Sequence, residues 1–157
     1  MTSNIGLNDQ QIKGSTKILN QVLADTFVLD VKTRKYHWNV LGIHFYELHK
    51  FFQSVYEELD ELVDEIAERN RSLMAYTAGS MGEFVKTAVL QEDFSQITDG
   101  TQMLQNLLID FESQITYLRQ SINEVTDDFK DAGTADFLTG IIQKHEKTAW
   151  MIRSLLD

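Results

Sequence analysis

Two histidines and two acidic residues in the first half of the chain could together bind a metal ion. They are His37, His49, Asp64 and Glu68, and all four lie within residues 35–70. Imidazole nitrogens and carboxylate oxygens form a ligand set that suits iron, manganese or zinc. The sequence contains no cysteine, so a metal site in this chain cannot use thiolate ligands.

The spacing of these residues excludes a site made by one copy of the chain. From Phe45 onward the segment is predicted to form one unbroken helix, and His49 precedes Asp64 by fifteen residues. At ~1.5 Å per residue, that separation is roughly 22 Å along the helix axis. No single metal ion reaches both side chains, so a shared metal requires two copies of the chain.

A helical wheel places the candidate ligands of this helix on one side. His49, Gln53, Asp64 and Glu68 fall within an arc of roughly 100° beside the apolar stripe. Asp64 and Glu68 are one turn apart, as are His49 and Gln53, so the members of each pair are neighbours. His37 precedes a predicted turn that returns the chain towards His49. An antiparallel pair of such helices would set the histidines of one copy beside the acids of the other, with two sites for each two-fold pair.

Each of these residues also has a structural interpretation. A histidine at the edge of an apolar face is commonly hydrogen-bonded in the core, and two acids one turn apart are commonly solvated. His44, in the predicted turn, is interpreted as a surface residue, and His145, in the apolar stripe of the last helix, as a buried structural histidine. Spacing alone leaves both interpretations open.

Helical periodicity predicts four long helices and one short one. The first two cover residues 8–38 and 44–75, joined by a turn with Gly42 as its flexible point. A short helix is predicted at residues 83–90, and a third long helix starts near residues 99–101. Gly133 is expected to end that segment, and Thr134 to cap the last helix. The pattern indicates an all-α four-helix bundle with a short extra helix between helices two and three, in one domain of residues 1–157.

Composition limits the partners and location of the protein. The chain has 24 acidic and 14 basic residues and a formal charge of −10, which disfavours nucleic acid and suits the attraction of cations. The first ten residues lack the apolar segment of a signal peptide, and no apolar run approaches transmembrane length. We therefore expect a cytoplasmic protein with no membrane partner.

Short motifs in the order YHWNV, LH and AER, between Tyr36 and Arg69, resemble the signature of the Dps family. These proteins are the mini-ferritins, also called DNA-binding proteins from starved cells, and the ending HEKTAWMIR is similar to their last helix. The resemblance implies a ferritin-like bundle assembled as a hollow dodecamer with tetrahedral symmetry. It also implies a ferroxidase that oxidises Fe²⁺ with H₂O₂, in preference to O₂, and stores ferric mineral, which protects against oxidative stress.

The resemblance assigns roles to individual residues. It implies that His37, His49, Asp64 and Glu68 are iron ligands at two-fold dimer interfaces. It also implies that Trp38, beside them, intercepts oxidising equivalents, for which packing at the helix end is the structural alternative. These assignments agree with the split site that the spacing would require if the four residues share a metal.

Iron would enter such a shell through acidic channels at its three-fold axes. We assign Asp136 and Asp131 to these channels, because of the resemblance and because acidic residues cluster here, including Asp127 and Asp128. The structural alternative is a solvated helix end, although negative charge at a helix C-terminus opposes the macrodipole.

Gln53 departs from the family pattern, which usually has Asp or Glu four residues after the second histidine. A neutral amide is a weaker ligand for a hard cation and adds no charge. Gln53 therefore weakens the second iron position and reduces the preference for iron over zinc. The alternative function is a shell that binds zinc at the same site and oxidises iron slowly.

DNA packing without catalysis is a further alternative, which the charge opposes. The first sixteen residues contain one lysine, Lys13. Twelve copies would carry a formal charge of about −120, a field that repels polyanions. We predict that the metal-free shell does not shift duplex DNA in a gel at moderate salt, since phosphate binding depends on Lys and Arg. A shifted band under those conditions would contradict the prediction.

Overall fold

Five helices account for most of residues 4–157, the part of the chain that the computed structural model describes. They are α1 Asp9–Asn39, α2 Phe45–Ser72, α3 Met81–Thr87, α4 Gly100–Asp127 and α5 Ala132–Leu156. The described residues form no strand, and no described helix is both long and apolar enough to cross a membrane. The first three positions of the predicted domain lie outside the described residues. The predicted all-α bundle with a short extra helix in its long connection is confirmed.

The four long helices pack as two hairpins, α1 with α2 and α4 with α5, and α3 lies against α1. Their apolar faces form two clusters, one towards each end of the bundle. Leu23, Leu62 and Leu118 are buried in the cluster near the α4–α5 turn, and Phe52 and Phe111 in the cluster near the α1–α2 turn. Each fully buried side chain of this size contributes about 2 kcal/mol. This packing fixes the face that α2 turns outward.

The turn between α1 and α2 confirms Gly42 as its flexible point. Gly42 has a φ of 111°, which favours glycine. The helix that follows ends at Ser72, three residues before its predicted end. Met74 just beyond has a φ of 64°, a value that a continuing right-handed helix does not adopt.

The last helix begins earlier than predicted. Asp131, and not Thr134, is its cap, because the Asp131 side chain accepts a hydrogen bond from the Thr134 N–H at 3.0 Å. A carboxylate also complements the positive end of the helix dipole. The prediction that Gly133 ends the preceding segment is wrong, since this glycine lies inside α5. A Cβ there would lie 3.0 Å from a guanidinium nitrogen of Arg69, so glycine permits that close approach.

The short helix α3 begins and ends before its predicted bounds. The side chain of Ser80 caps its start. Its end is set by Asp25, a buried residue of α1, whose carboxylate accepts the N–H groups of Val89 and Leu90 at 2.7 and 2.8 Å. Because these two amides bond to Asp25, they do not continue the helical hydrogen bonds.

The long connection is fastened to the end of α1, next to His37. The Tyr36 hydroxyl donates to Asp93 at 2.6 Å, and the Lys35 ammonium donates to the carbonyls of Asp93 and Ser95. Burial alone would raise the pKa of Asp93, but hydrogen bonds from Ser95 and Tyr36 outweigh it and lower the pKa to about 2. The carboxylate is therefore charged at neutral pH and holds the connection in place.

His145 is a buried structural histidine, as predicted. It is 2% exposed, and its ring meets Phe111 edge-on at 5.2 Å. Its Nε2 has no hydrogen-bond partner among residues 4–157. Burial, with a smaller effect of the Lys144 charge, lowers the pKa of His145 to about 4. The imidazole is therefore neutral in the folded protein at pH 7.

We predict that His145 makes the protein less stable as the pH falls below about 6.5. The unfolded chain binds a proton there at an ordinary pKa, whereas the folded chain does so only near pH 4, so the free energy of unfolding falls between these values. Between pH 7.5 and pH 5, the free energy of unfolding of His145→Leu should rise by about 2 kcal/mol relative to that of the wild type. Urea unfolding at one chain concentration measures this difference. The exposed His44, changed to Leu, is the control, and an equal gain in both variants would contradict the prediction.

Candidate metal site

His37 and His49 lie against each other across the α1–α2 turn. Their ring centroids are 3.7 Å apart, and the ring planes differ by 20°. The Nδ1 of His37 lies 2.8 Å from the carbonyl oxygen of His49, and the Nδ1 of His49 lies 2.8 Å from the carbonyl oxygen of His37. His37 is buried and His49 is half-buried. The turn therefore brings the two histidines that were predicted as ligands into direct contact.

These reciprocal hydrogen bonds fix the tautomer of both rings. A carbonyl oxygen can only accept, so each Nδ1 must donate its proton. We therefore assign the Nδ1–H tautomer to His37 and His49, in which Nε2 carries the lone pair that binds a metal. Neither Nε2 has a hydrogen-bond partner among residues 4–157, so these two oriented imidazoles form the first half of the candidate site.

Gln53 lies one turn after His49, and its amide is engaged by neighbours. Its Oε1 accepts from the Lys50 ammonium at 3.1 Å, and its Nε2 donates to Glu57 at 2.8 Å. The amide oxygen is the one atom of this side chain that could bind a hard cation. Because an ammonium group already lies against that oxygen, Gln53 offers less to a metal than a carboxylate would.

Asp64 and Glu68 form the second half of the candidate site. Both are exposed on α2, one turn apart, and neither forms a hydrogen bond or a salt bridge within the described part of the chain. Their oxygens are therefore free to bind a cation. Since α2 is unbroken between His49 and Asp64, the two halves remain roughly 22 Å apart.

One copy of the chain does not assemble these ligands. Among residues 4–157, no three histidine, aspartate or glutamate side chains are close enough together to hold a metal ion. Nε2 atoms lie at one end of α2, and carboxylates lie at the other. A site that uses all four ligands needs a second copy.

Exposed apolar side chains lie in and beside the α1–α2 turn, close in sequence to the two histidines. Trp38 is 70% exposed and Ile43 is 93% exposed, with Leu41 and Tyr46 also largely exposed. The alternative that Trp38 packs at its helix end is therefore not found within one copy. Exposed apolar residues that cluster in this way are typical of an interface with another chain.

Tyr56 contacts the site but was not identified from the sequence. Its ring meets the His37 ring edge-on, with centroids 5.2 Å apart and planes at 76°. It follows His49 by seven residues, or about two turns, and therefore lies on the same face of α2. The helical wheel indicates that Tyr56 shares the face of His49, but it does not indicate that the Tyr56 ring contacts His37 on α1.

The two predicted channel residues lie in different environments. Asp131 is buried, and its carboxylate accepts from the Thr134 hydroxyl at 2.6 Å and from Arg69 at 3.2 Å. Burial raises the pKa of Asp131, but the hydrogen bonds from Thr134 and the charge of Arg69 together have the larger, opposite effect. The pKa of Asp131 therefore lies below its ordinary value. Asp136 is exposed on α5. Asp131 therefore serves as a helix cap, and Asp136 alone of the two presents its side chain to solvent.

Comparison with known proteins places these features in a family context. The sequence model of the ferritin-like domain family matches residues 16–157. An uncharacterized low temperature-induced protein of Nostoc sp. is 47% identical over 154 residues, which cover 98% of this chain and 86% of the relative. The DNA protection during starvation protein 2 of Bacillus anthracis is 32% identical over 142 residues, which cover 90% of this chain and 95% of the relative.

A solved structure has the same fold as the described residues. It is the crystal structure of a Dps protein from Vibrio cholerae O1, described as a member of a broad superfamily of ferritin-like diiron-carboxylate proteins. It is 32% identical, with a TM-score of 0.92, and the match covers 100% of this chain and 98% of that one. The bundle and its long connection are therefore shared with a protein of that superfamily.

We predict that Asp131→Ala lowers the free energy of unfolding by about 2 kcal/mol, because it removes both a helix cap and a partner of Arg69. Arg69 directly follows Glu68, so the change also loosens the end of α2 that carries the acidic half-site. Urea unfolding at neutral pH measures the loss. Asp128→Ala, at an exposed position beside the same turn, is the control and should change stability by less than about 0.5 kcal/mol. Equal effects of the two changes would contradict the cap assignment.

Proposed function

The chain belongs to the Dps family of ferritin-like proteins, and on that premise we propose that it is a ferroxidase that stores iron. It oxidises Fe²⁺ and keeps the ferric product as mineral inside a hollow dodecameric shell in the cytoplasm, which limits oxidative damage. One observation carries this proposal. Within the described residues, the unpartnered Nε2 atoms of His37 and His49 lie beside the α1–α2 turn, and the unpartnered carboxylates of Asp64 and Glu68 lie roughly 22 Å away along α2.

A two-fold axis across α2 would complete the site. If two copies of α2 run antiparallel with His49 of one opposite Asp64 of the other, the axis passes near the middle of the helix, at Tyr56. Each pair of chains then has two equivalent sites, because a two-fold operation repeats every contact. The exposed apolar residues around the α1–α2 turn would be covered by the second copy.

Iron is the substrate of the proposed reaction. Nε2 atoms from one copy and carboxylates from the other bind Fe²⁺, and Glu68 reaches towards a second position beside Gln53. Two Fe²⁺ ions give one electron each to H₂O₂, which takes up two protons and leaves as two water molecules. Because the peroxide accepts both electrons, hydroxyl radical is not released. Trp38, adjacent to His37, supplies an electron where an oxidising equivalent escapes, and O₂ is the slower alternative oxidant.

Asp136 contributes to the route by which Fe²⁺ enters. Its exposed carboxylate is available at a three-fold channel, whereas Asp131 supports the turn beneath it. The formal charge of −10 per chain raises the local concentration of cations around the shell. The ferric product then collects on carboxylates that face the interior.

The contacts of Gln53 favour a second candidate function. Its amide oxygen bonds to Lys50, so the position next to His49 lacks the negative charge that would draw a second iron ion. The alternative is a shell that binds zinc at the same site and oxidises iron slowly. Zn²⁺ generally binds such a site more tightly than Fe²⁺, so the rate of iron oxidation when peroxide is added to the Fe²⁺-loaded shell, and not relative affinity, separates the two functions. Fast oxidation favours the ferroxidase, and slow oxidation favours the zinc-binding shell.

The proposed function predicts that activity depends on ligands from two different copies. The assembled shell is loaded with Fe²⁺ without oxygen, peroxide is added, and ferric absorbance is followed. His37→Ala/His49→Ala and Asp64→Ala/Glu68→Ala should each reduce the initial rate by more than about tenfold. His44→Ala changes an exposed histidine of the same segment and should leave the rate unchanged.

Mixing the two double variants tests the split site directly. When the two chains are unfolded, combined in equal amounts and reassembled, half of the two-fold pairs contain one chain of each kind. In such a pair one site has lost every ligand and the other has kept all four. The mixture should therefore recover about a quarter of the wild-type rate. No recovery, with mixed shells confirmed by mass spectrometry, would overturn the intersubunit site.

A further inference from the structure

We propose that Tyr56, held by the guanidinium of Arg34, is a positioning residue that fixes the orientation of the His37 ring. This inference rests on the proposed function, in which His37 binds the metal through Nε2. Tyr56 does not itself reach the metal in this proposal. It acts through His37, and its effect is therefore on metal affinity and not on the chemical step.

Tyr56 gives the His37 ring a contact that His49 does not supply. His49 stacks on one face of the ring at 3.7 Å, and the carbonyl of His49 holds Nδ1. Both contacts come from the same residue, and the ring of His49 in turn stacks on Phe45 with centroids 5.1 Å apart. Tyr56 meets the His37 ring edge-on at 5.2 Å from a position two turns further along α2. This third contact fixes the direction in which the Nε2 lone pair points.

Tyr56 is itself held by a charged clamp. The central carbon of the Arg34 guanidinium lies 4.3 Å from the centre of the Tyr56 ring, a cation–π contact. Arg34 Nε donates to both carboxylate oxygens of Asp30 at 3.0 and 2.9 Å, and another nitrogen of Arg34 donates to Asp60 at 3.0 Å. Asp30 belongs to α1 and Asp60 to α2, so the clamp joins both helices of the hairpin. A guanidinium with fixed partners holds the phenol ring in one place.

Within one copy of the chain, Tyr56 has little other structural role. Its ring is half-buried and belongs to neither of the two apolar clusters formed by the described residues. Loss of the ring should therefore leave the core intact. Because the edge contact needs an aromatic ring and not a hydroxyl group, phenylalanine should replace tyrosine with little loss.

Binding of Co²⁺ to the assembled metal-free shell tests the inference, since Co²⁺ takes the same nitrogen and oxygen ligands and absorbs visible light when bound. Tyr56→Leu should weaken Co²⁺ binding by about tenfold or more, as removal of a residue that orients a ligand commonly does. Tyr56→Phe should stay within about twofold of the wild type. Tyr76→Leu, at an exposed tyrosine outside α2, is the matched control and should bind like the wild type. The unfolding midpoint of Tyr56→Leu should match that of the wild type.

The possible outcomes distinguish this inference from the site assignment. Wild-type affinity in Tyr56→Leu, or equal weakening in Tyr56→Leu and Tyr56→Phe, would overturn the positioning role and leave the site intact. Wild-type affinity in His37→Ala would overturn the site assignment, and the positioning role with it. If Tyr56→Leu does not assemble, Arg34→Met decides the question. It should weaken binding by about threefold through loss of the cation–π contact, and unchanged affinity would overturn the inference.

Discussion

The reciprocal hydrogen bonds between His37 and His49 are the interaction on which the candidate site depends. Each ring donates from Nδ1 to the other residue's backbone carbonyl, so one pair of contacts closes the α1–α2 hairpin and also selects the tautomer of both imidazoles. The same two hydrogen bonds therefore close the hairpin and leave both imidazoles in the tautomer that binds a metal through Nε2. His145 differs, because its ring is buried and neutral and its Nε2 has no hydrogen-bond partner among residues 4–157.

The stiffness of α2 determines how the site can be completed. An unbroken helix cannot bend its acidic end back to its own histidines, so the roughly 22 Å between them is a fixed length and not an average. The same rigidity means that a second copy in the opposite direction meets both half-sites at once. Assembly and metal binding would then be linked, because anything that binds the assembled form stabilises it by mass action.

The helices and the split of the site could be predicted from the sequence, because both depend on spacing along the chain. The bounds of α3 and α5 could not, because Asp25 bonds to amides 64 and 65 residues away and Asp131 outcompetes Thr134 as a cap. The tautomers of His37 and His49 and the contact of Tyr56 also escaped prediction. Each depends on how α1 is rotated against α2, which no periodicity in either helix specifies.

The two half-sites are anchored by separate devices at opposite ends of α2. Near the histidines, Lys35 and Tyr36 bind the long connection through Asp93, a carboxylate that stays charged because its pKa is about 2. Near the acids, Arg69 bonds to the Asp131 cap of α5. Neither device uses a ligand of the candidate site, so both ends of α2 are held before any metal arrives. A helix fixed independently at both ends presents its half-sites at one separation in every copy, and that uniform separation would allow a two-fold axis to complete both proposed sites equally.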